Sequence, residues 1–246
     1  MKKLHAIRKK GCLREACDNC IDEQFCESLE QSNLDNGGVI HERSYILERG
    51  EYLISRKDNN PYSLYSICSG SCKSLLKYCD YYRVVDFHLP GEILGVDKYV
   101  GCDNNHDVIS NERTVIKEFI FPSIKDLGSI LVSKNIAHAC GTQLALLQEK
   151  RESICCKSNT LKKVASFICY VVRQQKIRNR QLAEFKMPLT RGELSEYFGL
   201  AAETISRQIT RLEKKRIIQI HGQRIAVLDH MALQKISGNC PAGLNC

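Results

Sequence analysis

The sequence predicts an α+β protein with an N-terminal antiparallel β-roll, a long helix and a C-terminal winged helix-turn-helix. Three observations lead there. Residues 39–122 break into short β-type runs separated by Gly, Asp and Asn. Apolar spacing then lengthens to a heptad-like period. The last ninety residues contain a helix, a glycine turn and a second helix within one short stretch. A chain of 246 residues has room for one large or two modest cores and does not need disulfides to fold.

The β-type runs are "EYLIS", "SLYSICSG", "CKSLLKY", "YRVVDFHL" and "RTVIKEFIF". Several short strands at such spacing suit an antiparallel roll or barrel, placed at residues 36–125. Residues 1–35 before it are polar and cysteine-rich, and "QSNLDNGG" at 31–38 reads as a linker. Residues 126–156 carry Ile130, Ala137, Leu144 and Arg151 at one heptad position and Ser133, Cys140, Leu147 and Ile154 at the other. A narrow seam of this kind on one long helix predicts a dimer interface, with packing on the chain's own β domain as the alternative.

Residues 157–246 hold 16 Lys+Arg against 6 Asp+Glu, while the rest of the chain holds 20 against 22. The basic end is therefore the candidate for contact with a polyanion. Within it, "LTRGELSEYFGLAAETISRQITRLEKKRII" reads as helix, turn at Gly199 and helix. Thr190 is placed to N-cap the first helix, and Glu193 three residues later completes a capping box. Leu194, Tyr197 and Phe198 give the first helix an apolar face; Ile205, Ile209 and Leu212 do the same for the second.

Glu203, Ser206 and Arg207 fall on the opposite face of the second helix, at spacings that stand side by side. In a major groove Arg donates twice to guanine, Glu accepts from cytosine N4 and Ser bonds to either partner of a base pair. An ordinary i,i+4 salt bridge is the structural alternative for that pattern. "IIQIHGQRIAVL" predicts a two-stranded wing turning at His221–Gly222, with Arg224 available to phosphate. Thr190 and Arg191 join this set of candidate DNA contacts. The partner so implied is double-stranded DNA.

"LYSICSGSCKS" (64–74), "FHLPGEILGVD" (87–97), "MPLTRGELSEYFGL" (187–200) and "ETISR" (203–207) resemble, in order and spacing, motifs of the cyclic-AMP receptor/FNR superfamily of bacterial transcription regulators. The FNR branch is the more similar. The resemblance implies a β-roll of the cyclic-nucleotide-binding type, a dimerisation helix and a winged helix-turn-helix. In the cyclic-AMP branch an Arg-Ser or Arg-Ala pair follows the Pro-Gly-Glu motif. No such pair follows Pro90-Gly91-Glu92 in the expected place, so no cyclic nucleotide is expected. Glu203, Ser206 and Arg207 reproduce the FNR branch's E-x-x-S-R residue by residue. The resemblance implies a homodimer on a palindrome of TTGAT and ATCAA half-sites separated by four bases, with RNA polymerase as a partner. The basic start "MKKLHAIRKK" is followed by no apolar h-region, and no run approaches the roughly 18 apolar residues of a membrane span, so a cytoplasmic protein without membrane attachment is expected.

FNR-type regulators also hold an oxygen-labile 4Fe–4S cluster on three N-terminal cysteines spaced C-x2-C-x5-C and a fourth from the β-roll. Cys17, Cys20 and Cys26 match the triplet, whereas Lys117 stands where the fourth cysteine is expected. Cys102 or Cys12 is then the candidate fourth ligand. Cys12, Cys17 and Cys20 also match a plant-type 2Fe–2S spacing. Zinc held by four of these thiols, or reversible thiol chemistry, are further alternatives. Cys155, Cys156 and Cys169 fall in apolar helical stretches and are expected to pack as small hydrophobes. No histidine stands with an evident nucleophile and acid, and no glycine-rich phosphate loop occurs, so an enzyme is not expected. A ferredoxin-like electron carrier is the rival from another class.

Overall fold

The computed structural model describes residues 41–55, 63–96, 106–120, 141, 143–155, 157, 159–178 and 184–238. It divides into two compact units, residues 1–144 and 145–246.

The first unit is built from two four-stranded antiparallel sheets. One runs β1 (His41–Leu47), β8 (Thr114–Ile120), β3 (Ser63–Ser69) and β6 (Ile93–Leu94), in that order. The other runs β2 (Tyr52–Ile54), β7 (His106–Ser110), β4 (Cys72–Tyr78) and β5 (Tyr81–His88). Leu47, Ile67, Leu94 and Ile116 from the first sheet meet Leu53, Ile54, Cys72 and Val108 from the second in one buried cluster. Removing that apolar surface from water is the main force closing the roll.

β3 and β4 are joined at Gly70, whose φ is 85°. A side chain there would place its Cβ 2.5 Å from Thr114 Oγ1 and 2.8 Å from the Arg113 carbonyl oxygen. Only glycine lets the hairpin lie so close to β8.

Three strands that the sequence reading did not identify, β1, β6 and β7, complete the sheets. In β1 the polar Arg43 and Tyr45 share a face with Leu47, and Tyr45 Oη donates to the buried Glu118 carboxylate across the sheet. A second polar arrangement lies in the other sheet. Ser74 Oγ is 2.7 Å from His88 Nε2, and His88 Nδ1 is 3.1 Å from Glu92 Oε2. All three residues are buried. Glu92 Oε1 also accepts the Leu89 N–H at 3.3 Å, so the carboxylate closes the chain reversal around Pro90.

In the second unit, residues 145–150 are helical and continue as a five-residue π-helical stretch, Arg151–Cys155. Helix α1 (Thr160–Arg178) begins where Asn159 Oδ1 accepts the Leu161 N–H at 2.8 Å. Val164, Ala165, Phe167, Ile168, Val171 and Val172 make it the unit's central core helix.

Around it lie β9 (Glu184–Lys186), α2 (Arg191–Phe198), α3 (Ala202–Lys214), β10 (Ile218–His221), β11 (Arg224–Val227) and α4 (His230–Ser237). The wing is a three-stranded sheet in the order β10-β11-β9. Its turn differs from the sequence expectation by one residue: His221 pairs with Arg224, so Gly222 and Gln223 form the loop. Gly222 supplies the positive φ, 63°, that a two-residue hairpin needs.

Cys155 also departs from expectation. It is exposed, with its Sγ 3.6 Å from Tyr197 Oη, one position beyond buried Ile154 at the end of the π-helical stretch. Cys169 is half-buried, and burial raises its thiol pKa. Among the described residues no helix is long and apolar enough to cross a membrane.

Candidate nucleic-acid interface

The two helices of the candidate site are set by local chemistry. Thr190 Oγ1 accepts the Glu193 N–H at 3.3 Å, and Glu193 Oε2 accepts the Thr190 N–H at 2.7 Å. This reciprocal pair satisfies amides that the first turn of a helix leaves without partners. Helix α2 ends at Gly199, in the left-handed conformation with φ 64° and ψ 39°. The chain then turns through Leu200 and Ala201 into α3.

Leu194 buries one side of α2, and Phe198 packs edge-on against Phe167 of α1 with ring centroids 6.1 Å apart. Ile205, Ile209 and Leu212 bury the inner face of α3. Its outer face is therefore fixed by what the inner face must hide.

Glu203 and Arg207 are exposed on that outer face, and Ser206 is half-buried beside them. No ion pair joins Glu203 to Arg207 among the described residues, so the simple salt-bridge account of their spacing does not hold here. Both side chains remain available to a ligand. An open groove runs along the face, lined by Glu203, Ser206, Arg207, Arg211, Lys214 and Lys215 among others. The last three went unremarked in the sequence reading, although their positions four, seven and eight residues beyond Arg207 put Arg211 and Lys214 on the same helical stripe.

Thr190 and Arg191 are exposed at the start of α2, and Arg224 is exposed at the start of β11. On the wing, His221 Nδ1 lies 2.9 Å from Glu184 Oε1 and His221 Nε2 lies 3.1 Å from Gln219 Nε2. The contact with Glu184 ties β9 to β10 across the sheet, beside the turn that precedes Arg224.

The candidate ligands Cys12, Cys17, Cys20, Cys26 and Cys102 lie outside the described residues. Lys117 lies within them, on β8, paired in register with Ser44 and Ser66. It is 4 % exposed, and its Nζ stands 5.6 Å from the centroid of the Phe119 ring. An ammonium held over an aromatic face is a cation–π arrangement; it offers no soft donor to iron, so β8 does not fit as the source of a cluster ligand. Among the described residues no three His, Cys, Asp or Glu side chains are grouped to hold a metal ion.

Residues 162–236 match the Crp-like helix-turn-helix domain family. Over 238 residues, 94 % of each chain, the sequence is 28 % identical to the "Fumarate and nitrate reduction regulatory protein" of Vibrio cholerae. Over 246 residues it is 26 % identical to the protein of the same name from Escherichia coli, covering 96 % of this chain and 95 % of that one. In fold it is similar to FixK2 from Bradyrhizobium japonicum, with a TM-score of 0.67 and 18 % identity over 82 % of this chain and all of that one. It is also similar to TTHA1359, a CRP/FNR-family transcriptional regulator from Thermus thermophilus, with a TM-score of 0.59, 15 % identity and coverage of 80 % and 99 %.

Residues 162–236 carry a Crp-like helix-turn-helix domain, in a chain similar over nearly its whole length to regulatory proteins of fumarate and nitrate reduction. The chain is a DNA-binding transcription regulator and not an enzyme.

Proposed function

We propose that this chain is a CRP/FNR-superfamily regulator of the FNR type that binds a TTGAT-N4-ATCAA palindrome as a homodimer in the cytoplasm, in concert with RNA polymerase, under control of oxygen or redox state. The observation that carries the reading is the outward set Glu203, Ser206 and Arg207 on α3, with no ion pair between Glu203 and Arg207. Its chemistry suits a half-site with adjacent G·C and A·T pairs. Thr190, Arg191 and Arg224, exposed around α3, are assigned to phosphates.

Dimerisation is supported by Leu144, a heptad-seam residue that is 66 % exposed in the single chain. Two α3 helices about 34 Å apart would then meet successive major grooves.

The redox part rests on the Cys17-x2-Cys20-x5-Cys26 spacing and on likeness to proteins named for fumarate and nitrate reduction and for anaerobic regulation. A bound iron–sulfur cluster would supply an oxygen-labile centre. Its fourth ligand is assigned to Cys102 or Cys12, since Lys117 offers none. The buried Lys117 is also the observation that favours a second reading, a superfamily member controlled through zinc, thiols or a small ligand.

Iron and acid-labile sulfide assays with a visible spectrum, on anaerobically purified full chain before and after air, separate the two. About four of each per chain, with absorption bleached by air, supports the cluster. Iron-free protein after anaerobic reconstitution overturns it and leaves the second reading.

A further inference from the structure

The end of α3 carries an arginine in a position that its backbone makes costly. The Arg216 N–H donates to the Glu213 carbonyl at 2.8 Å and the Ile217 N–H to the Leu212 carbonyl at 3.1 Å. This is the doubly bonded Schellman ending, with buried Leu212 and Ile217 as its apolar pair. The motif requires a left-handed residue, and Arg216 has φ 54°, the one non-glycine at positive φ among the described residues. The corresponding left-handed positions after α2 and α4 are Gly199 and Gly238. A Cβ is disfavoured in this conformation, and the helix ending itself makes no use of the Arg216 side chain. That side chain is exposed and enters no ion pair or hydrogen bond among the described residues.

Its surroundings say what it suits. Arg211, Lys214 and Lys215 precede it, with Glu213 as the one carboxylate in the stretch, and all three line the groove that begins at Glu203. From Glu203 to Arg207 is about 6 Å of helix, and from Arg207 to Arg216 about 13 Å more. In a helix-turn-helix the N-terminal residues of the reading helix meet base edges, so the cations beyond them face the sugar–phosphate rim. Arg and Lys without an acceptor beside them match phosphate oxygens and carry no base code.

We propose that Arg216, with Arg211, Lys214 and Lys215, forms a sequence-independent phosphate clamp at the C-terminal end of α3, and that the left-handed arginine is retained for this contact. The proposal rests on α3 being the DNA-reading helix.

The test compares the full-length wild type with Arg216→Gly and Arg216→Lys on two duplexes, the TTGAT-N4-ATCAA palindrome and a scrambled sequence, across a salt series. Glycine removes the charge and suits the backbone, so Arg216→Gly should melt no lower than wild type. Its affinity for both duplexes should fall by about fivefold per bound subunit at about 0.15 M salt, with the salt slope shallower by about one per subunit. The ratio between duplexes should not change, and Arg216→Lys should stay close to wild type.

Unchanged affinity and slope in Arg216→Gly overturns the clamp, as does a loss confined to the palindrome. Base reading is scored separately: Arg207→Ala collapses the ratio between duplexes if α3 reads bases. A ratio unmoved by Arg207→Ala overturns that assignment while the slope still reports on Arg216.

Discussion

Thr190 and Glu193 satisfy each other's backbone amides, at 3.3 and 2.7 Å, at the point where the chain enters the helix-turn-helix. Thr190→Ala removes half of that exchange and should cost about 1 kcal/mol. Thr190→Asn, which keeps an accepting oxygen, should recover most of it. Thermal unfolding of the full chain checks both, and equal midpoints for Ala and wild type would remove the cap from the account.

Arg207→Ala and Glu203→Ala should act on specificity more than on affinity for scrambled DNA. Each good base contact is worth about 1–3 kcal/mol of discrimination, which is roughly 5- to 150-fold in the palindrome-to-scrambled ratio. Competition binding at fixed salt reads the ratio directly. A uniform loss on both duplexes would reassign these side chains to phosphate.

Glu92→Ala should be among the more damaging changes in the β-roll. It leaves buried His88 without its 3.1 Å partner and the Leu89 amide without its 3.3 Å acceptor. An unsatisfied buried polar group costs about 1–3 kcal/mol, and two are exposed to that cost here. Denaturant unfolding should show a lower midpoint, while Glu92→Gln, which keeps an oxygen, should lie between.

What the sequence made legible follows the range of the interactions. The helix-turn-helix was readable because its determinants sit within a few residues: the capping box from Thr190 to Glu193, the left-handed Gly199, and the spacing of Ile205, Ile209 and Leu212. β1 was not, because "HERSYIL" reads as polar until Tyr45 meets Glu118, 73 residues away. The three-residue β9 was too short to register. It is held by β11 and by the contact of Glu184 with His221, again across a long separation. Cys155 was misplaced because an apolar stretch does not say which of its residues face inward, and here Ile154 is buried while its neighbour Cys155 is exposed. Arg216 reads in sequence as one more cation; only its backbone marks it out.

Cys72 gives the roll a pH signature. It lies on β4 opposite His88 and is fully buried. Burial, then the negative charges of Glu92 and Glu112, push its thiol from the ordinary 9.0 up to about 12. The folded state thus holds the proton more tightly than the unfolded one. The stability this contributes is fully present below about pH 9, where both states are protonated, and is lost as pH rises from there toward about 12. Tyr45 and Tyr65 are also raised, chiefly by burial, and push in the same direction at higher pH. Comparing wild type with Cys72→Ala isolates the thiol: the wild-type advantage should shrink by about 2 kcal/mol between pH 8 and pH 10.5, read from urea midpoints. The same burial predicts that native Cys72 resists alkylation at pH 8 while exposed Cys79 reacts. A wild-type advantage constant across that range would mean that the folded roll admits enough water for the thiol to ionise as it does in the open chain.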